Sequence, residues 1–425
     1  MYKANFSKIA LSIAVAIAIT ACGESTSSSQ GAGFNDTSNE VTQPSTGSDF
    51  DEAQLVANLV DNVISKTFEL FQNKAQSQQQ AISEYCHLEQ QSVQSSSEQA
   101  IAALGQAQSA WLDTMASWQQ AEMMQVGPLV TNNGELKSRI YSWPSISRCG
   151  IDQDVVYHQD NMINQDASRP YDITARTATR RGMFALQHVL FNQQFDHHCS
   201  VTNDALANWN SRTIHERKIA RCEFAVTAAT DVINSSAELL DKWQGDNGFA
   251  MQLKTAGQAG SQFDSPHVAL NHISDALFYL TEVVKDKKIA EPIGIFPNSC
   301  GTSACPEDVE SLDAKSSLAN IKANIIAFEA VLLGQLEDQE ALIGFDDYLT
   351  DEQATDTLER MLTGIAASKA AIAAIETDLG TALINNEEQV RDIHTQVKTI
   401  TDELKNDFIN ELALELPKTS AGDND

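Results

Sequence analysis

The sequence predicts an all-α fold held behind a leader and a flexible tether. Three observations carry this. Apolar residues recur at spacings of three and four through nearly every periodic segment, no stretch sustains the alternation of a strand, and no hairpin turn signal occurs. Leu55, Leu59, Val63 and Leu70, with Val60, Ile64 and Phe71 beside them, form the first stripe. Trp111, Met115, Trp118 and Glu122 fall at i, i+4, i+7 and i+11, on one helical face. Ser265-Pro266 opens a helix as N-cap and first-turn proline, carrying Ala269, His272, Leu277, Leu280 and Val284. Another starts near Ser316 and runs through Ile321, Ile325 and Phe328 to a C-cap at Gly334. Further stripes cover about 351–379 and 386–414. The softest stretch, Gly257 to Ser265, marks a boundary between helical regions 51–256 and 265–416.

The first 21 residues read as a lipoprotein signal peptide. Lys3 and Lys8 precede a short apolar run, Ile9 to Thr20, which is too short for the roughly 20 residues of a membrane-spanning helix. Ile19-Thr20-Ala21-Cys22 is similar to a lipobox, so Cys22 is the expected lipidation site; the alternative is a cleaved secretory signal with an incidental cysteine. Gly23, rather than an aspartate, follows the cysteine, which resembles an outer-membrane sorting signal. Residues 22–50 contain Ser, Gly, Thr and Asn without hydrophobic period, a composition that cannot offset its ordering entropy. Such a tether reaches roughly 30 Å on average. The expected location is the cell envelope, with a lipid anchor in the outer membrane and the body facing the periplasm.

The whole chain carries a net charge of −30, and removal of Lys3 and Lys8 with the leader takes it to −32. That excludes nucleic acid as a partner, because phosphate binding requires basic patches. Seven cysteines less Cys22 leave six, an even number that suits disulfides in an oxidising compartment. Cys300 and Cys305 bracket a small loop, and Cys199 and Cys222 flank a connection between helical stretches. Cys86 and Cys149 then remain for each other.

The stretch from Trp111 to Phe191 resembles the imelysin-like family. The matching pieces are a Trp-rich helix ending at Gly127-Pro128, the Trp143-Pro144 corner, and the helix opening at Gly182. Fainter echoes extend through KDKKIAEPIG (Lys285 to Gly294). The resemblance implies two packed helical bundles with a site near their interface, and a bacterial envelope protein linked to iron uptake. The family was first described through a peptidase. Its metal motif is G-x-H-x-x-E, and here the frame reads Gly182-Met183-Phe184-Ala185-Leu186-Gln187. Phenylalanine has no lone pair, and glutamine keeps a carbonyl oxygen without charge, so iron or another metal is disfavoured at Phe184 and Gln187. A polar pocket around Gln187 would suit a different small ligand.

Glu122 extends the tryptophan face, and burial there would require a cation such as Arg139 or Arg181. With Trp143 these make the candidate pocket. His197-His198 adjoin Asp196 and Cys199, a metal-binding combination only if the cysteine is reduced. His215-Glu216 lacks the second histidine of a zinc-protease helix, and no serine-hydrolase elbow or phosphate loop occurs. No catalytic residue is therefore assigned. The readings in play are a non-enzymatic ligand-binding lipoprotein associated with iron uptake, a peptidase of the imelysin type, and a glycan or other small-ligand binder.

Overall fold

A computed structural model describes residues 50–164, 166–200, 206–337, 342–417 and 419. The expected signal peptide, the expected lipidation site Cys22 and the expected tether up to residue 49 lie outside the described residues. Within them the fold is all-α, and the only extended pairings are isolated bridges at Ile163–Asp166 and Asn298–Gly301. The first helices are α1 (Glu52–Asn58), α2 (Ser65–Gln91), α3 (Glu98–Met123), α4 (Thr131–Ile140), α5 (Arg148–Gln159), α6 (Gly182–Phe191) and α7 (Ile214–Gln244). They are followed by α8 (Phe249–Lys254), α9 (Pro266–Leu277), α10 (Ser317–Leu332), α11 (Phe345–Asp351), α12 (Thr355–Ala373), α13 (Leu379–Asn385) and α14 (Glu387–Glu403). Helix α2 packs on α3 and α7, α6 on α7, and α12 on α14. Helix α10 lies against α3, and a π-helical segment, Leu280–Ala290, packs on both α10 and α14. The described residues from Phe50 onward belong to one compact unit.

Local signals explain the helix ends. The Ser265 side chain accepts from the Val268 backbone N–H, and Pro266 occupies the first turn of α9. Thr213 and Glu216 form a reciprocal capping box at the start of α7. The first apolar stripe departs from its expected course. A π-helical turn at Leu59–Ile64 adds a residue to the repeat, so burial continues through Phe68, Phe71, Ala75 and Ile82. Leu70, expected inside, is 39% exposed. His272, also placed on an inward stripe, is exposed.

Two disulfide expectations are corrected. Cys86 pairs with Cys222, and Cys149 with Cys199. The packing of α2 on α7 puts Cys86 and Cys222, both buried, face to face. Cys199, in the connection after α6, instead meets Cys149 at the start of α5. Cys300 and Cys305 bond to each other.

Candidate functional site

Helix α6 begins where α4 ends. Gly182 has a φ of +71°, and a Cβ there would collide with the carbonyls of Arg139 and Ile140. The glycine thus permits a close backbone approach that no larger residue allows. Phe184 and Gln187 follow on one buried face. The Arg148 guanidinium lies 5.7 Å from the Phe184 ring centre. Gln187 Nε2 donates to Ser311 Oγ at 3.1 Å, while Oε1 has no partner.

From Ser311 a buried network leads to Glu122. Asn320 Nδ2 donates to Ser311 Oγ at 3.0 Å and to Glu310 Oε2 at 2.9 Å. Gln119 Nε2 donates to Glu310 Oε1 at 3.0 Å. At the centre stands Lys288, 1% exposed. Its ammonium donates to Gln119 Oε1 at 2.5 Å, Glu122 Oε1 at 2.6 Å and Asn324 Oδ1 at 2.9 Å. Glu310 Oε1 lies 3.1 Å away. Helices α3, α6 and α10, the π-helical segment and the Glu310-Ser311 loop therefore converge through side chains that the sequence scatters over some two hundred residues.

Charge balance explains the electrostatics. Burial works against the Lys288 ammonium, but Glu122 and Glu310 overcome it and raise its pKa. Burial raises Glu122 above the usual carboxylate range despite Lys288. Tyr141 and Tyr279 are pushed well above 10 by burial, with Glu310 and Glu122 adding to the effect, so both hydroxyls stay neutral. Lys288 is held protonated among four oxygens and is not disposed to act as a base.

A cavity of about 380 Å³ opens beside this network, lined among others by Glu122, Lys137, Tyr141, Trp143, Tyr279 and Lys287. Glu122 and Trp143 thus meet as expected. Arg139 and Arg181 do not join them and are corrected as partners of Glu122. Arg139 bonds to Glu238 at 2.7 Å, and Arg181 grips Asp231 through two nitrogens, one of them at 2.7 Å. Each arginine found a nearer carboxylate on α7, whereas Lys288 reaches Glu122 from the π-helical segment. Lys288, Glu310, Asn320, Asn324 and Lys137 were all missed; only the KDKKIAEPIG stretch offered a signal.

At the motif frame the donor set does not fit a metal. Phe184 is apolar, and Gln187 offers a single uncharged oxygen. An Asp/His/His cluster that could hold a metal ion lies elsewhere: donor atoms of Asp152, His188 and His198 fall within 4.8 Å of one another. Asp152 already bridges His188 Nε2 at 2.9 Å and His198 Nδ1 at 3.0 Å, with the Arg221 guanidinium at 3.8 Å. Burial opposes the Asp152 charge, yet the imidazole hydrogen bonds win and hold its pKa below the usual carboxylate range. The neighbouring candidates divide. Asp196 pairs with Arg217 and Cys199 is oxidised, so only His198 of that group enters the cluster. In a second grouping, Cys300 and Cys305 with Glu307, the sulfurs are tied in a disulfide.

The imelysin family model, peptidase M75, matches residues 64–406. The chain belongs to the imelysin family. An iron-regulated protein A precursor of Parabacteroides distasonis has a similar solved structure, with TM-score 0.63 and 17% identity, covering 85% of this chain and 95% of that one. An imelysin-like protein of Psychrobacter arcticum aligns with TM-score 0.58 and 16% identity, over 86% of this chain and 96% of that one. At such identity these likenesses speak for the imelysin fold alone. No curated protein sequence matches the chain.

Proposed function

We propose that this imelysin-family chain is a non-enzymatic ligand-binding lipoprotein, anchored through Cys22 in the outer membrane and facing the periplasm, that serves iron acquisition. The observation that carries the binding role is the cavity beside Trp143, whose lining includes Glu122, a carboxylate held by the buried Lys288 rather than set beside an activated nucleophile. A volume of about 380 Å³ is that of a small-molecule pocket. In this reading the helical region divides at Gly257–Ser265 into bundles 51–256 and 265–416, and the ligand sits where they meet. The iron association draws on family membership and on the name of the Parabacteroides relative. Among the described residues, no helix is long and apolar enough to cross a membrane, which suits attachment by acyl chains.

The test is genetic and biochemical. Deletion should impair growth under iron limitation; the wild-type gene should restore it, and Trp143→Ala, with an unchanged circular dichroism spectrum, should not. Full restoration by Trp143→Ala would remove the pocket from the function. Palmitate label on the wild type and none on Cys22→Ser would support the anchor. Chelator-sensitive cleavage of insulin chain that co-purifies with the protein would replace this reading with the peptidase one.

A further inference from the structure

We propose that the cavity beside Trp143 recognises a small anion, a carboxylate or phosphate group carried on an organic molecule, through Lys137 and Lys287. This rests on the ligand-binding reading of the same cavity and specifies its chemistry.

The chain is strongly acidic, with 58 acidic residues against 28 basic ones, so an average surface position sits among carboxylates. Most lysines here meet one, as Lys369 meets Glu329 and Lys398 meets Asp402. The two lysines lining this cavity do not. Lys137 Nζ donates to the neutral amide oxygen of Gln125 at 3.2 Å, and its ammonium lies 6.0 Å from the Tyr279 ring centre. Lys287, half-buried, forms no ion pair among the described residues. Two cations that repel each other are held at one opening with no direct ion pair, although Glu122 and Glu282 act on Lys137, and Glu291 on Lys287, from farther away. Burial lowers the Lys137 pKa, a cost that an arriving anion would offset.

An independent feature points the same way. Ser142, only 8% exposed, lines the cavity, and its Oγ has no hydrogen-bond partner. A buried hydroxyl left unpaired is costly unless a ligand meets it. Glu122 is the one carboxylate in the lining, and it is paired with Lys288 at 2.6 Å. The contrast with the larger neighbouring cavity, about 920 Å³, is instructive. It shares Lys137 and Tyr279 but adds Asp275, Glu282 and Glu415, which makes it acidic. Trp143 and Pro144 give the smaller cavity an apolar wall, so the anionic group belongs to an organic body rather than to a bare ion.

The experiment is calorimetric titration of the full chain in detergent with citrate, with inorganic phosphate and with glucose, following tryptophan fluorescence in parallel. Citrate should bind, more weakly as salt is raised. Lys137→Gln and Lys287→Gln should each lower affinity at least tenfold. Lys242→Gln, which removes the same charge from an exposed pair with Glu238, should leave it unchanged. Phosphate binding as tightly as citrate would assign the recognition to the charge alone; citrate binding tighter would assign it to the organic carboxylate. Failure of both anions to bind at millimolar concentration, or equal loss in all three variants, overturns the proposal. A fluorescence response to glucose without anion binding would overturn it while leaving the ligand-binding reading intact.

Discussion

Replacing Lys288 by methionine removes the cation from a buried site that contains two carboxylates. Glu122 is 3% exposed and Glu310 2%, so neither can recover its solvation from water. The variant also leaves the oxygens of Gln119 and Asn324 without their donor. Breaking a buried ion pair from one side costs about 3–5 kcal/mol, because the remaining charge is uncompensated. The expected loss lies in that range. Its dependence on pH is distinctive. Glu122 already has a raised folded pKa, so it contributes stability at low pH that is lost as pH rises through that value. Without Lys288 the folded value of Glu122 rises further, and the variant should regain stability on acidification more steeply than the wild type. Urea unfolding at pH 5 and pH 8, followed by tryptophan fluorescence, reads this directly, since Trp111, Trp118, Trp209 and Trp243 are buried. Adding Glu122→Gln to the variant should return part of the loss. A deficit below about 1 kcal/mol, the scale of an exposed pair, or no gain at pH 5, would refute the charge-balance argument.

Loss of the Cys86–Cys222 bridge, which spans 136 residues, should cost about 5 kcal/mol in the chain-entropy model. Non-reducing peptide maps should link Cys149 to Cys199, and a Cys199–Cys222 peptide would contradict the structure. Asp275 has its carboxyl pushed up to about 6 by burial, helped by Glu415 and Glu282. Its contribution is complete below pH 3.8 and is lost as pH rises through 6, so Asp275→Asn should stabilise the protein at pH 7.5. The gain should be about 1 kcal/mol after solvent screening, and it should vanish at pH 3.5 in urea titrations. Gly182→Ala should destabilise by about 2 kcal/mol or more, since it combines a left-handed backbone with a clash against two carbonyls. Gln187→Glu should destabilise at pH 8 and recover at pH 5, measured in the same urea titrations.

Local physics was legible in the sequence and long-range pairing was not. The helical class followed from spacing, and the Ser265-Pro266 start followed from capping chemistry. The placement of Leu70 failed because one π-helical turn at Leu59–Ile64 shifts the phase of everything after it, and apolar spacing carries no mark of such a turn. Glu122 was recognised as a carboxylate in need of a cation, but the cation comes from 166 residues away. In sequence, Lys288 stands within a run of lysines that resembles a solvated face. The cysteines failed for a related reason. Their order along the chain says nothing about which faces of α2 and α7 meet, and that contact decides the partner of Cys86.

The departure from the family motif has a physical rationale in the same network. Gln187 Nε2 donates to Ser311, which accepts from Asn320, which in turn donates to Glu310. One lysine already serves two carboxylates there. A glutamate at 187 would bring a third negative charge toward a buried cluster with one cation, and it would take away the N–H that Ser311 receives. Glutamine keeps the reach and the donor while adding no charge. Phenylalanine at 184 closes the other side of the frame with apolar contact beneath Arg148. Charge count thus ties Gln187 to the rest of the site. With Lys288 as the internal cation, the Gly182 helix meets the network through an uncharged hydrogen bond from Gln187 to Ser311.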